Sequence, residues 1–256
     1  MKVYVVITGA SSGIGQALAV SFANEGYHVL AIGRNQVGLE RTKRLAVKGS
    51  IIPLIADLSE KDAIDIISKQ FNSNMTIKYL IHCAGTLEPL SPLLKATRSD
   101  LKDNIVTNVI APIALTSKLK PYFNLGTRVL FMGSDFVGVE NKMKPKVSGA
   151  YAMSKTALKV GVEYLRRECD GIAHIGYLNP GSTHTPMYAS FFNATNPEQG
   201  TTNNGVKIAD PVSIANFIKQ VLENSGDKVF NATDWDYRNV AHHDKTAVNA
   251  YMSARL

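Results

Sequence analysis

The amino-acid sequence predicts an α/β protein built on a doubly wound parallel β-sheet. Short apolar runs rich in β-branched residues alternate with segments of helical periodicity, which is typical of parallel strands joined by right-handed crossover helices. The first run also leads through a glycine-rich turn into a helical segment, the arrangement with which such sheets bind nucleotides. We therefore expect one domain, residues 1–256, with helices on both faces of the sheet.

The predicted elements follow one another in a regular order. Strands are predicted at residues 3–7, 27–32, 51–56, 77–83, 128–132 and 172–178. Helices are predicted from residue 16 and near residues 36–48, 60–71, 99–120 and 151–168. The carboxyl ends of parallel strands meet at one edge of a sheet, so the residues that follow each strand are the candidates for a functional site.

Composition argues against several other kinds of protein. The N-terminus lacks the pattern of a signal peptide, and no apolar run reaches the ~18 residues that suggest a transmembrane helix. The two cysteines, Cys83 and Cys169, form no C-x-x-C motif, and no cluster of His, Cys or acidic residues has metal-ligand spacing. We expect a cytoplasmic protein without a metal and without a membrane partner.

The net charge of +7 raises the question of a nucleic-acid partner. The basic residues are densest in two groups: Arg41, Lys43, Arg44 and Lys48, and then Lys142, Lys144 and Lys146. Neither group is interleaved with the aromatic residues that stack on bases. The sequence therefore favours a solvated basic surface over nucleic-acid binding.

The turn that follows the first strand has the composition of a phosphate-binding loop. Glycines adopt positive φ and let a ligand approach the backbone, and the amino end of the next helix carries unpaired N–H groups and a partial positive charge. This arrangement predicts a dinucleotide site with the following contacts: Gly9, Ser11, Ser12, Gly13, Ile14 and Gly15.

The spacing Thr-Gly-x-x-x-Gly-x-Gly resembles the short-chain dehydrogenase/reductase family, whose motif order the chain follows over roughly residues 2–190. The resemblance implies a Rossmann-like sheet, a nicotinamide cofactor and hydride transfer. It also implies cofactor contacts after later strands: Asp57 and Leu58, Ala84 and Gly85, and Pro180, Gly181, Thr183 and Thr185. One departure is His82-Cys83, where the family usually has two asparagines. The side-chain contacts usual at those two positions are therefore not implied for this chain.

Tyr151 and Lys155 are four residues apart on a predicted helix and therefore share one face. A Tyr that exchanges protons near pH 7 needs its pKa lowered from about 10, and one ammonium about 4 Å away supplies roughly the ~4 kcal/mol required. By resemblance, Tyr151 is the proton donor, Lys155 also holds the cofactor ribose, and Ser134 hydrogen-bonds the substrate oxygen. Ser148 is an alternative to Ser134, because the segment between Ser134 and Tyr151 is longer than is usual in the family.

Asn108 lies on a largely apolar predicted helix, four residues before Pro112. Proline lacks the N–H that would bond to the Asn108 carbonyl. Two compatible interpretations follow: a buried Asn hydrogen-bonded to a neighbouring strand, and, by resemblance, a helix distortion whose free carbonyl holds a water in a proton relay. The resemblance thus adds Asn108 to the catalytic and the cofactor-binding residues.

Arg34 follows the second predicted strand, at the position that faces the adenosine ribose in a dinucleotide site. An acid there accepts a hydrogen bond from the 2′-OH of NAD, whereas an Arg pairs with the 2′-phosphate of NADP. Because Gly33-Arg34-Asn35 contains no acid, the predicted cofactor is NADP(H). A plain surface arginine at a strand end is the alternative.

These residues predict an NADP(H)-dependent oxidoreductase that reduces a carbonyl, or oxidises the alcohol, of a small apolar or aromatic substrate. Residues 186–209 show little regular pattern and are expected to form a substrate lid with an aromatic lining. A 3-ketoacyl-thioester reductase of the same family and a non-catalytic NADP-binding regulatory protein are the alternatives. By resemblance, and because predicted helices 99–120 and 151–168 have apolar residues beyond one core-facing stripe, we expect a homodimer or homotetramer.

Overall fold

The computed structural model describes residues 2–137, 146–195, 208–239 and 243, and within them lies a single seven-stranded β-sheet. Neighbouring strands pair in parallel, in the order β3-β2-β1-β4-β5-β6-β7. The strands are β1 (Lys2–Thr8), β2 (His28–Gly33), β3 (Ser50–Ile55), β4 (Met75–His82), β5 (Arg128–Met132), β6 (His174–Asn179) and β7 (Asp234–Asp236). This topology confirms the predicted doubly wound sheet.

Helices cover both faces of the sheet. They are α1 (Gly13–Asn24), α2 (Gln36–Leu45), α3 (Ala63–Ser68), α4 (Arg98–Ile105), α5 (Ala111–Leu119), α6 (Gly149–Glu168), α7 (Pro186–Thr195), α8 (Pro211–Asn224) and α9 (Asp227–Ala232). On one face α1, α8 and α9 enclose a core that contains Phe22, Phe217 and Phe230. On the other face α5 and α6 pack around a core that contains Leu115 and Leu158.

Strand β1 lies at the centre of the sheet because its side chains tolerate burial on both faces. Val5, Val6 and Ile7 have no solvent-exposed surface, as is typical of a parallel strand covered by helices on both sides. From β1 the chain builds outwards through β2 and β3, then returns to place β4 on the opposite side. This reversal of direction leaves a cleft beyond the carboxyl ends of β1 and β4.

The helical segment predicted near residues 99–120 is divided in the structure, as the distortion expected at Asn108 implies. It forms α4, then a π-helical turn at Val106–Ile110, and then α5. Pro112 lies in the first turn of α5, where its missing N–H prevents the ordinary hydrogen-bond ladder from running through. Helical periodicity alone does not reveal such a change of pitch.

The predicted irregular lid at residues 186–209 also needs correction, because it begins with helix α7. Pro186 occupies the first position of that helix, and the Tyr188 N–H donates to the Thr185 hydroxyl at 3.2 Å. A hydroxyl residue followed by Pro is a helix start that the sequence carried. Residues 196–207 of the predicted lid lie outside the described residues.

The sequence analysis did not predict α8, α9 or β7. Strand β7 has only three residues, two of them acidic, so it lacks the apolar run by which the other strands were found. It pairs with β6 through Leu178 and Trp235, whose side chains are both buried. The position of β7 in the sheet therefore depends on the burial of Trp235 and on pairing with the edge of β6.

In the ranges that the structure describes, no helix is both long and apolar enough to cross a membrane. No group of three or more His, Cys, Asp or Glu side chains in these ranges could hold a metal ion.

Candidate active site

A cleft of about 390 Å³ opens at the carboxyl ends of β1 and β4. The loops after β1, β2, β3 and β4 line it, together with the start of α7. Twelve of the predicted cofactor contacts lie in its wall: Gly9, Ser11, Ser12, Gly13, Ile14, Gly15, Arg34, Asp57, Leu58, Ala84, Gly85 and Thr185. The fold thus brings residues from five separate loops to one cleft.

The turn between β1 and α1 depends on glycine at three positions. Gly9 and Gly13 have φ of +69° and +55°, which side chains rarely adopt. A Cβ on Gly9 would lie 2.7 Å from the Ala84 nitrogen, and a Cβ on Gly15 would collide with the Gly9 carbonyl oxygen. Ser12 precedes α1 without capping it through its side chain. The amino end of α1 therefore faces the cleft with N–H groups that suit a phosphate.

The far end of the cleft combines one cation with one carboxylate. Arg34 Nη1 lies 3.9 Å from Asp57 Oδ2, and the Arg34 side chain is 75% exposed. Asp57 Oδ1 accepts hydrogen bonds from the backbone N–H and the hydroxyl of Ser59, at 3.0 and 2.7 Å. Burial raises the pKa of Asp57, but the Ser59 hydrogen bonds and the Arg34 charge outweigh it and hold that pKa below its usual value. Asp57 is therefore ionised at neutral pH.

His82 and Cys83, at the end of β4, occupy the positions where the family usually has two asparagines. His82 points into the core, where Nε2 lies 2.9 Å from Thr116 Oγ1 and the ring stacks on Phe131. Burial lowers the pKa of His82 to about 3, so the imidazole is neutral. Burial raises the pKa of the Cys83 thiol to about 12. The Ala84 N–H donates to the Thr8 hydroxyl at 3.1 Å, so the backbone approaches β1 closely without either asparagine.

The π-helical turn positions the buried Asn108 side chain between two other elements. Its Nδ2 donates to the Thr86 carbonyl at 2.7 Å and to Ser154 Oγ at 2.9 Å, while its Oδ1 accepts from the Thr86 N–H at 2.8 Å. Both interpretations from the sequence hold in part. The amide is hydrogen-bonded, although to a loop and to α6 rather than to a strand, and the helix is distorted at this residue.

Ser134, Tyr151 and Lys155 meet where the loop after β5 faces α6. Ser134 and Tyr151 line the same cavity, and the Ser134 side chain lies close enough to lower the pKa of Tyr151. Lys155 Nζ donates to the Met132 carbonyl at 3.0 Å and lies 5.7 Å from the centroid of the Tyr151 ring. Gly85 lies beside them, since a Cβ there would be 3.7 Å from Lys155 Nζ. The three predicted catalytic side chains thus form one group at the edge of the cleft.

The charge states within this group differ from the prediction. Burial raises the pKa of Tyr151, the charge of Asp135 adds to the increase, and the Ser134 hydrogen bond opposes it. The predicted lowering of this pKa by Lys155 is therefore wrong for the protein alone, because burial dominates and the ammonium is bonded to Met132. Burial also lowers the pKa of Lys155 to about 8. At pH 7 the group therefore holds a protonated phenol beside a mostly charged ammonium.

Ser148, the alternative to Ser134, lies immediately before α6 and is buried. Ser134 lines the second cavity together with Tyr151, and Ser148 is not among the residues that line it, so the geometry favours Ser134. Lys142, Lys144 and the Lys146 side chain lie outside the described residues.

A second cavity of about 150 Å³ adjoins the cleft and shares four lining residues with it: Ile14, Leu87, Thr185 and Met187. Ser134, Tyr151 and the loop after β6 line this second cavity, including the predicted contacts Pro180, Gly181 and Thr183. Its aromatic wall contains Phe136, whose ring packs edge to face against Tyr151 and Phe191 at 5.7 and 5.6 Å between centroids. A substrate in this cavity would meet both hydroxyls.

The sequence analysis missed a polar cluster at the edge of the second cavity. Asp135 Oδ1 lies 2.6 Å from Arg238 Nη2 and accepts a hydrogen bond from Asn179 Nδ2. Asn179 Nδ2 also donates to Asp236 Oδ2 at 3.1 Å. Asp135 directly follows Ser134, and this position could have suggested a place at the site. Nothing in the sequence links Asp135 or Asn179 to β7 or to Arg238.

Comparison with known proteins gives consistent matches. The model of the family described as short chain dehydrogenase matches residues 3–196. YciK, an uncharacterised oxidoreductase of Escherichia coli, is 29% identical over 209 residues, which are 76% of this chain and 79% of YciK. A benzil reductase of Bacillus cereus that forms (S)-benzoin is 34% identical over 121 residues, 44% of this chain and 48% of that protein.

Among solved structures, YwfH, an NADPH-dependent reductase involved in bacilysin biosynthesis, has the same fold. Its TM-score is 0.79 at 17% identity, and the match covers 92% of this chain and 96% of YwfH.

Proposed function

The chain belongs to the short-chain dehydrogenase/reductase family and is an oxidoreductase of that family, and from this premise we propose that it reduces the carbonyl group of small aromatic ketones with NADPH. The observation that carries the proposal is that the Ser134 and Tyr151 hydroxyls lie together in the wall of a cavity that adjoins the cleft. Such a pair can bind a carbonyl oxygen and protonate it.

The cleft fits a dinucleotide at both of its ends. The glycine turn leaves no room for a Cβ at Gly9 or Gly15 and offers the amino end of α1 to a pyrophosphate. At the other end, the Arg34 side chain is 75% exposed and lies 3.9 Å from Asp57, so its guanidinium has donors available for a 2′-phosphate. The absence of an acid in the described loop directly after β2 favours NADPH over NADH.

When bound, NADPH supplies the hydride that is added to the carbonyl carbon. Tyr151 gives its phenolic proton to the carbonyl oxygen as negative charge develops there, and Ser134 donates a hydrogen bond to the same oxygen. The product is the alcohol. The raised pKa of Tyr151 suits this direction, because the phenol keeps its proton until the oxygen becomes basic.

Two further residues support that proton transfer. Lys155, with its ammonium beside Gly85, is suited to hydrogen-bond the hydroxyls of a ribose in the cleft. Pro112 has no N–H to donate to the Asn108 carbonyl, so that carbonyl can accept a hydrogen bond from a water that returns a proton to Tyr151.

The aromatic wall of the second cavity supports an aromatic substrate. Phe136 and Phe191 meet edge to face beside Tyr151, which leaves flat apolar surface against which an aryl ring can pack. The name of the Bacillus cereus relative, a benzil reductase, supports the same substrate class.

Two further features of the enzyme belong to the proposal: its location in the cell and its binding partners. We place the enzyme in the cytoplasm, where the free thiols of Cys83 and Cys169 would stay reduced. Its partners are a small carbonyl substrate and further copies of the chain.

A panel of aryl and alkyl ketones with NADPH tests the proposal, followed by Tyr151→Phe on the best substrate. We expect the variant to bind NADPH within about twofold of the wild type and to lose kcat/KM by about a hundredfold or more, because the proton is needed only in the chemical step. Tyr164→Phe, at an exposed position of the same helix, is the matched control and should retain full activity. A Tyr151→Phe variant with more than about a tenth of wild-type kcat/KM, a loss below ~1.4 kcal/mol, would overturn the assignment.

A further inference from the structure

A carboxylate lies in the wall of the second cavity, beside the two hydroxyls. Asp135 is the only charged side chain among the described residues that line it. Asp135 is the next residue after Ser134, and both side chains line the cavity.

The neighbouring arginine is shared between this carboxylate and a second one. Arg238 holds Asp236 in a two-point contact, with Nε 3.0 Å from Oδ1 and Nη2 2.7 Å from Oδ2. The contact of Asp135 with Arg238 uses the same Nη2. Two carboxylates therefore share one guanidinium.

Asp135 is also held in place with one oxygen left over. Oδ1 is fixed by Arg238 and by Asn179 Nδ2. Oδ2 accepts no hydrogen bond from any residue in the ranges that the structure describes. The side chain is 28% exposed, so a ligand in the cavity can reach it.

The surrounding rings favour the same kind of ligand. Phe136, Tyr151 and Phe191 all line the cavity. The faces of aromatic rings attract cations, and a fixed carboxylate strengthens that attraction when water is partly excluded. A neutral hydrocarbon group would offer no hydrogen bond to Asp135 Oδ2.

From this arrangement we infer that Asp135 is a specificity-determining residue that selects aryl ketones bearing a protonated amine, with the ammonium bound to its free oxygen and the carbonyl bound to Ser134 and Tyr151. The inference rests on the proposed function and narrows its substrate class. Arg238 and Asn179 act as positioning residues, since they hold the carboxylate and line or border the cavity without touching the reacting carbonyl.

A matched pair of ketones tests the inference. The probes are 3-(aminomethyl)acetophenone, which is cationic at pH 7, and 3-ethylacetophenone, its neutral counterpart of nearly equal shape; the 4-substituted isomers form a second pair. We expect the wild type to favour the cationic member of at least one pair, and Asp135→Asn to reduce that preference by about tenfold or more. Comparing the two preferences cancels any effect of the substitution on Tyr151, because both ketones use the same proton donor.

Asp170→Asn is the control for the change in charge. Asp170 is exposed and lies between α6 and the start of β6, at the opposite edge of the sheet from the cavity. It should leave the preference within twofold of the wild type. NADPH binding and thermal melting show whether each variant is folded.

A second measurement needs no variant. The cation of 3-methylbenzylamine should inhibit reduction of 3-ethylacetophenone competitively, with an inhibition constant at least about tenfold below that of neutral 3-methylbenzyl alcohol. If the ketones are reduced but Asp135→Asn keeps the wild-type preference, or the two inhibitors are equal, the inference fails and the proposed function stands. If the wild type reduces no ketone of the panel with NADPH, the proposed function fails first.

Discussion

The side chain of Asn108 and the backbone of Thr86 exchange two hydrogen bonds, at 2.7 and 2.8 Å. The same amide reaches Ser154 Oγ on α6 at 2.9 Å. One buried side chain on a π-helical turn therefore joins the loop after β4 to the helix that carries Tyr151 and Lys155. The geometry of the candidate site depends on this junction.

Asn108→Leu keeps the approximate volume of the side chain but removes all three hydrogen bonds. We expect the free energy of unfolding to fall by about 2–3 kcal/mol, because the Thr86 N–H and carbonyl lose their partners. Urea denaturation followed by circular dichroism measures this loss. Asn72→Leu, at an exposed turn where the amide accepts only the Asn74 N–H, is the control and should cost less than about 1 kcal/mol. Equal losses in the two variants would contradict the prediction.

Lys155→Met should stabilise the protein while it abolishes turnover. Burial lowers the pKa of Lys155 from 10.5 to about 8, so below pH 8 the folded protein bears the cost of a buried charge. Between pH 8 and 10.5 the unfolded chain binds the proton that the folded protein has released, so wild-type stability rises with pH. We expect the variant to be about 1–3 kcal/mol more stable at pH 7, after the lost bond to Met132 is deducted, and to lose that advantage by pH 10.

Denaturation of wild type and Lys155→Met at pH 7 and at pH 10 tests this sign. Lys159→Met serves as the control, because its ammonium is partly exposed and pairs with Asp234. A Lys155 variant that is less stable than the wild type at pH 7 would show that the ammonium stabilises the fold.

Arg34→Asp should erase or reverse a preference for NADPH. A charge-assisted contact of the guanidinium with the 2′-phosphate is worth roughly 1.5–3 kcal/mol, so we expect the wild type to favour NADPH over NADH by at least about tenfold in kcat/KM. Steady-state kinetics with both cofactors measure the preference. Arg44→Asp changes an exposed arginine at the far end of α2 and should leave it intact. Equal kcat/KM values of the wild type for NADH and NADPH would contradict the prediction.

We expect the protein to form a homodimer or homotetramer through α5 and α6. Large apolar side chains near these helices are more than half exposed: Ile110, Met153, Val160 and Tyr164. Burial of such a surface against its own symmetric copy is a common route to a closed oligomer. Light scattering should give a multiple of 27.8 kDa. Val160→Glu should weaken the assembly and Val37→Glu, on α2, should not; a single 27.8 kDa species for the wild type would contradict the prediction.

The strands that are rich in β-branched residues could be predicted because burial on both faces leaves a continuous apolar run. Strand β1 is the clearest case, since Val5, Val6 and Ile7 are all fully buried. Strand β7 could not be found in this way, because Trp235 alone is buried and its neighbours are acidic. The start of α7 was missed although Thr185 and Pro186 signal it, because the segment after it has no helical period.

The candidate site also has features that could be predicted from the sequence and features that could not. The glycine turn, and the spacing of Tyr151 and Lys155, are local patterns that the sequence displays directly. The pKa of Tyr151 is not local, because it depends on burial and on the charge of Asp135, and the sequence estimate had the wrong sign. Spacing places two side chains on one face but says nothing of the Met132 carbonyl to which Lys155 is bonded.

By itself, then, the sequence determined the sheet of parallel strands, the phosphate-binding turn and the residues that stand at the ends of the strands, since each depends on neighbours within a few positions. Only the tertiary structure decided that Arg238 and Asn179 hold Asp135 beside Ser134 and that Asn108 ties a loop to α6. These contacts join residues 22 to 103 positions apart in the chain. Partners so distant are brought together by the packing of the whole sheet and its helices, which no local pattern contains.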